Sequence, residues 1–231
     1  MMNDSICIIN TENKIITNKL KEYGYSCIAT EKSANVSEPI SRHADVLYLK
    51  TGDKEIYISD CQKNNIQLLK DLGYSVKEVS LSPGYKTESK LNMVVTDNTI
   101  ICNPNICLQY NLSYLDKKII SVKQGYTKCS TIVLSDNDFI TEDEGIYTTL
   151  KSVGKNCLLI EKGFVKLDGY DYGFIGGASM FLENHSTLIF TGDITKHPNY
   201  NILKDFCNSI NIEIDWINEI QLTDIGGMIH L

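Results

Sequence analysis

Repetition constrains the folding of this chain more than any other feature. A hydrophobic strand, a short polar turn and a second strand recur over residues 6–16, 46–58, 93–102, 132–140 and 180–190. The turns read Glu12-Asn13, Gly52-Asp53, Asp97-Asn98, Asp136-Asn137 and Asn184-His185. With Asn13, Gly52, Asn98, Asn137 and Asn184 as markers, the spacings are 39, 46, 39 and 47 residues. Periods of this size mark repeat architectures, in which each unit buries its apolar face only against its neighbours. Turns rich in Asn, Asp and Gly suit hairpin loops, which call for positive φ.

Each hairpin leads into a helical pattern and a third apolar strand. Tyr23-Gly24-Tyr25 and Leu72-Gly73-Tyr74 predict helices ending at glycine, followed by strands over 27–29 and 76–79. Glycine fits there because the residue after a helix commonly takes positive φ. The fourth unit repeats this through Val153-Gly154 into a strand over 157–160. The third predicts a helix ending near Leu115 and a strand over 119–122, the fifth a helix over 201–210 and a strand over 212–217. Ser59-Asp60 and Thr141-Glu142-Asp143-Glu144 provide candidate helix caps.

The unit is therefore ββαβ, and five copies about a pseudo-fivefold axis form a closed α/β ring without free sheet edges. The expected organisation is a single domain over 1–231. Its repeats lie near 5–43, 44–90, 91–128, 129–176 and 177–224, and residues 225–231 form a closing strand that returns to the first unit. A three-layer α/β sheet also alternates strands and helices, but it does not explain five hairpins at near-regular spacing.

The formal net charge is −7, from 29 acidic and 22 basic side chains spread along the chain. That argues against nucleic acid, which calls for a dense basic face, and agrees with a cationic small-molecule ligand. No stretch approaches the roughly 18 apolar residues of a membrane span, and no signal-like segment opens the sequence. Cys7, Cys27, Cys61, Cys102, Cys107, Cys129, Cys157 and Cys207 form no CxxC pair. Several lie in apolar strands, as expected of reduced thiols in a cytoplasmic protein. No metal-ligand spacing, GxxxxGK[ST] or GxGxxG is present, so neither metal nor cofactor is expected. Oligomeric state is not legible.

Polar and glycine residues gather in the connectors before each hairpin. These are Ser41-Arg42-His43-Ala44-Asp45, Lys90-Leu91-Asn92, Gln124 to Ser130, Phe174-Ile175-Gly176-Gly177-Ala178-Ser179 and Thr223-Asp224-Ile225-Gly226-Gly227. In a ring they cluster at one mouth of the axis, where loops on a rigid scaffold carry function. One residue separates His43 from Asp45, so on an extended segment they face the same side.

With these units, the His-x-Asp of His43-Ala44-Asp45 and the terminal Gly226-Gly227-Met228-Ile229-His230, the chain resembles the pentein superfamily of guanidino-group-modifying enzymes. It looks most like an uncharacterised bacterial branch (DUF6873-like) with similar Gln-Gly-Tyr-x-x-Cys and Phe-Ile-Gly-Gly-Ala-Ser segments. The resemblance implies a five-bladed α/β-propeller. It also implies deiminase, dihydrolase or amidinotransferase chemistry, in which a cysteine attacks a guanidinium carbon, a histidine moves protons and carboxylates hold the cation.

The family's cysteine follows a Gly-Gly-x-x-His pattern, and Leu231 occupies that position here. Cys129 is the replacement candidate, with His43 and Asp45 as acid–base partners. Asp224, Asn92, Ser130, Gly177 and Ser179 are candidate substrate-binding residues. Each has a plainer reading: Cys129 as a strand-entry thiol, His43 and Asp45 as a connector pin, Asp224 as a turn cap, and the glycines as close packing. The expected function is cysteine-dependent hydrolysis or transfer on a guanidine- or amidine-like molecule. The alternative is an inactive pentein that binds a small ligand or a protein partner.

Overall fold

The computed structural model describes residues 5–107 and 116–231. The first unit comprises β1 (Ser5–Ile9), α1 (Lys14–Glu22) and β2 (Tyr25–Ala29), and the second α2 (Ala44–Leu47), β3 (Tyr48–Gly52), β4 (Glu55–Ser59), α3 (Lys63–Asp71) and β5 (Ser75–Val79). The third holds α4 (Tyr85–Glu88), β6 (Val94–Val95), β7 (Thr99–Cys102), α5 (Pro104–Cys107) and β8 (Lys118–Ser121). The fourth holds β9 (Thr131–Val133), β10 (Asp138–Thr141), α6 (Glu144–Ser152) and β11 (Asn156–Leu159). The fifth holds β12 (Ser179–Leu182), β13 (Thr187–Phe190), α7 (Tyr200–Ser209) and β14 (Glu213–Trp216), before a final β15 (Met228–His230).

These strands form five three-stranded sheets. In each, a middle strand pairs antiparallel with one neighbour and parallel with the other. Parallel pairing needs a crossover, which a helix provides in the first, second, fourth and fifth sheets. The middle strands are the driest part of the fold: Ile8, Ile56, Ile100, Phe139 and Leu188 are wholly buried. Strands β3, β6, β9, β12 and β15 all line one central cavity of about 450 Å³. The architecture is the five-bladed α/β-propeller predicted from the repeats.

The first unit differs from its prediction. Residues 6–16 form no hairpin; β1 runs straight into α1, and Asn13 caps that helix by accepting from the Ile15 N–H at 3.0 Å. The missing strand comes from β15, with Ile8 opposite Ile229. Helices α1, α3 and α6 do end before glycines of positive φ, Gly24, Gly73 and Gly154. In the fifth unit Asn211 takes that conformation. None of the five turn markers has positive φ; at the fifth turn Ser186 does. Asp143 caps α6, but Ser59 lies in β4 and α3 starts from Gln62 with no side-chain cap. The helix end expected near Leu115 lies outside the described residues. No helix among the described residues is long and apolar enough to cross a membrane.

The Asp143 carboxylate accepts from the Ile146 N–H at 2.8 Å and from Gln124 Nε2 at 3.2 Å. Asp143→Ala removes both bonds. Its expected cost is about 1 kcal/mol, seen as a melting temperature lower by roughly 2–4 °C in calorimetry.

Candidate functional site

The connectors meet at the start of the inner strands and are hydrogen-bonded in a closed circuit. Asn92 Nδ2 donates to the Asp45 carbonyl at 2.9 Å, and Asn92 Oδ1 accepts from the Cys129 N–H at 3.1 Å. The Cys129 carbonyl accepts from Gly177 N–H at 3.1 Å, and the Gly177 carbonyl from Gly227 N–H at 2.9 Å. The Gly226 carbonyl accepts from the Asp45 N–H at 3.1 Å, which closes the loop. Backbones approach this closely only where side chains are missing. A Cβ on Gly176 would stand 2.5 Å from the carbonyl oxygens of Lys128 and Cys129.

Inside this circuit Cys129, His43 and Asp224 line one cavity of about 250 Å³. All three are buried. His43 Nδ1 lies 3.5 Å from Asp224 Oδ1. The Asp224 carboxylate is fixed by the Gly226 N–H on Oδ1 and the Phe174 N–H on Oδ2, each at 2.9 Å. Asn92 Nδ2 donates to the Cys129 sulfur at 2.8 Å. Tyr126, Tyr170, Tyr172 and Phe174 form the aromatic wall, with Asp171 beside them. Tyr126 is anchored by donating to Glu88 Oε1 at 2.6 Å.

The electrostatics of the cavity are one-sided. Burial pushes the Cys129 thiol pKa well up, and the neighbouring Asp45 and Asp224 push it further, against the opposing bond from Asn92. Burial raises Asp45 to about 6, opposed by His43. The resting thiol is therefore protonated at neutral pH. Among the described residues no lysine or arginine lines the cavity. The chain's single arginine, Arg42, has its Nε 2.8 Å from Glu12 Oε1.

The sequence candidates divide. His43, Cys129 and Asp224 share the cavity, and Asn92 clamps it from behind. His43 and Asp45 do not share a face, because His43 caps the short helix α2 and the segment is not extended. Asp45 lines the central cavity instead, as does Ser179, whose hydroxyl donates to the Gly176 carbonyl at 3.2 Å. Ser130 opens into a third cavity beside Glu142. Gly177 leaves room for the Asp224 carboxylate, since a Cβ there would meet Asp224 Oδ1 at 2.0 Å. The aromatic wall has no periodic signature; its only trace is the density of Tyr170, Tyr172 and Phe174 in one loop. Glu142 is also new, a buried carboxyl pushed up to about 8 by burial although it accepts from the Ile175 N–H.

The model of a family described as "Family of unknown function (DUF6873)" matches residues 8–229. No curated protein matches the sequence. Solved structures share the fold at low identity. A DDAH from Pseudomonas aeruginosa, complexed with citrulline, is 9% identical with a TM-score of 0.64, and the match covers 98% of each chain. An agmatine deiminase from C. jejuni is 12% identical with a TM-score of 0.56, covering 97% of this chain and 81% of that one. The amidinotransferase SxtG from Microseira wollei is 9% identical with a TM-score of 0.57, covering 89% and 73%.

Two substitutions check this geometry. Gly226 has φ of +80°, and a Cβ there would lie 2.4 Å from His43 Cα. Gly226→Ala is expected to cost at least about 1 kcal/mol and to lower the melting temperature by about 2 °C or more. Glu142 binds its proton more tightly folded than unfolded between its ordinary 4.5 and about 8, so its contribution to stability is lost as pH rises through that window. Glu142→Gln removes this loss. Its melting-temperature gain over wild type should be near zero at pH 4.5 and grow steadily to pH 8.

Proposed function

We propose that this chain, which belongs to the DUF6873 family, is a cysteine-dependent hydrolase or transferase of guanidine- or amidine-like small molecules. The carrying observation is the cavity that holds Cys129, His43 and Asp224 within aromatic walls and without a cation of its own. A planar substrate cation supplies what it lacks. The cation pairs with Asp224 and stacks on tyrosine faces, and its charge lowers the pKa of the adjacent thiol. A solved structure of the same fold, named for agmatine, a guanidinium compound, agrees in substrate class.

In this reading His43 takes the Cys129 proton, and the sulfur attacks the amidinium carbon. The C–N bond breaks, and the leaving nitrogen takes the proton back from His43. The resulting thiouronium is released when water, deprotonated by His43, attacks the same carbon and the C–S bond breaks. An amine acceptor in place of water gives transfer. Asn92 and Asp45 position the sulfur from behind. With no lysine or arginine in the lining to hold a carboxylate, the substrate carries its amidinium on a neutral, apolar tail and not on an amino acid.

A second reading is a receptor for the same cations without turnover. It is favoured by Leu231 after His230 and by the protonated resting thiol. Labelling separates the two. Iodoacetamidine, a cation, should alkylate Cys129 at pH 7.5 about tenfold or more faster than neutral iodoacetamide, one pKa unit of thiolate stabilisation. Peptide mass spectrometry should place the adduct on Cys129, and Cys129→Ala should remove it. Equal rates would sink the nucleophile assignment, while a melting-temperature rise with guanidinium compounds would then leave the receptor.

A further inference from the structure

The central cavity is separate from the site just described, and two lysines line it without a close ion pair. Lys50, on β3, and Lys128, before β9, both line it and are half-buried. Neither makes an ion pair or side-chain hydrogen bond among the described residues, although the protein carries seven more negative charges than positive ones. Burial pushes both ammonium pKa values down, opposed only at longer range by Asp53 and Glu183 for Lys50 and by Asp45 for Lys128, so each loses hydration without gaining a hydrogen-bonded partner. His230, on β15, the strand that touches β3, lines the same cavity. Its Nε2 is 2.7 Å from the Phe181 carbonyl, and burial, followed by Lys128 and Lys50, pushes its pKa down. The two ammonium groups and the imidazole thus act on one another within this cavity.

The remaining charges of the cavity are arranged by depth. Asp53, Asp97, Asp136 and Glu183 stand at the hairpin ends of four blades, at the mouth. There Asp136 is engaged by the side chain of Asn98, and Lys117 is held by the Thr96 and Asp97 carbonyls. Away from the hairpin ends, Asp45 faces Lys128 beyond ion-pair distance and lies against the Cys129 thiol. Lys50 stands two residues from the β3–β4 turn, within electrostatic reach of Asp53 and Glu183, and Lys128 within reach of Asp45, yet no carboxylate forms an ion pair with either ammonium group among the described residues.

We propose that the central cavity is a binding site for a small oxyanion, carboxylate or phosphate, held by Lys50 and Lys128. Charge-assisted hydrogen bonds from two partly desolvated ammonium groups are strong, and about 450 Å³ accommodates such an ion with its water. Because Lys128 adjoins Cys129 in sequence, occupancy of this cavity acts on the backbone that carries the thiol.

The test is thermal unfolding of the whole chain in sodium chloride, sodium phosphate or sodium malonate, matched for ionic strength and pH. The expected result is a saturable melting-temperature rise in phosphate, malonate or both; the active arm identifies the oxyanion. Lys50→Met and Lys128→Met should each abolish the rise while melting in chloride no lower than wild type, since each removes an unpaired, partly buried charge. Lys86→Met, at an exposed position, should keep it. No rise over chloride, or a rise that survives both cavity variants, overturns the proposal. If a cavity variant fails to fold, isothermal titration of the wild type with each anion decides: saturable binding upholds the site and its absence removes it.

Discussion

The structure depends on the closed circuit of hydrogen bonds between connectors. Each connector is irregular backbone buried near the axis, where an unpaired N–H or carbonyl is costly. The five satisfy one another in turn: Asp45 to Asn92, Asn92 to Cys129, Cys129 to Gly177, Gly177 to Gly227 and Gly226 back to Asp45. No blade can leave the ring without stranding polar groups on two others. The same bonds set the chemistry, because Asn92 holds the backbone N–H of Cys129 with its oxygen and the sulfur with its nitrogen.

Charge distribution then determines what the site does at rest. Cys129 and Asp224 share a buried cavity with His43, and Asp45 lies behind the thiol, facing Lys128. The thiol keeps its proton, and Asp45 sits above the ordinary carboxylate range. In the proposed reaction a substrate cation offsets this imbalance. Half the catalytic electrostatics in the proposed reaction therefore belongs to the substrate.

The fold was legible because period and turn chemistry are local. Four of five hairpins, the helix ends at Gly24, Gly73 and Gly154, and the return of the final strand to the first unit all follow from short-range rules. The first unit misled for the same reason: Asn13 fits a hairpin turn and a helix N-cap equally well, and only the long-range pairing of Ile8 with Ile229 decides between them. The cluster of Cys129, His43 and Asp224 was legible as connector residues, because ring closure brings connectors together. Orientation was not. His43 and Asp45 diverge because a single helical turn follows His43, and the aromatic wall comes from a loop whose fold no periodicity encodes. Glu142, hidden in a run of acids, shows its burial only in three dimensions.

The pairing of β1 with β15 also orders events in time. A ribosome delivers β1 and β2 before the other four blades, yet their sheet stays two strands wide until β15 emerges after those blades. The first blade is thus the last to be completed, and its exposed edge must be kept from pairing with other chains in the interim. Asp224, Gly226 and Gly227 arrive in that same late segment, so an incomplete nascent chain has neither a sealed ring nor a site. A chain cut short before β15 therefore keeps one edge of its first sheet open.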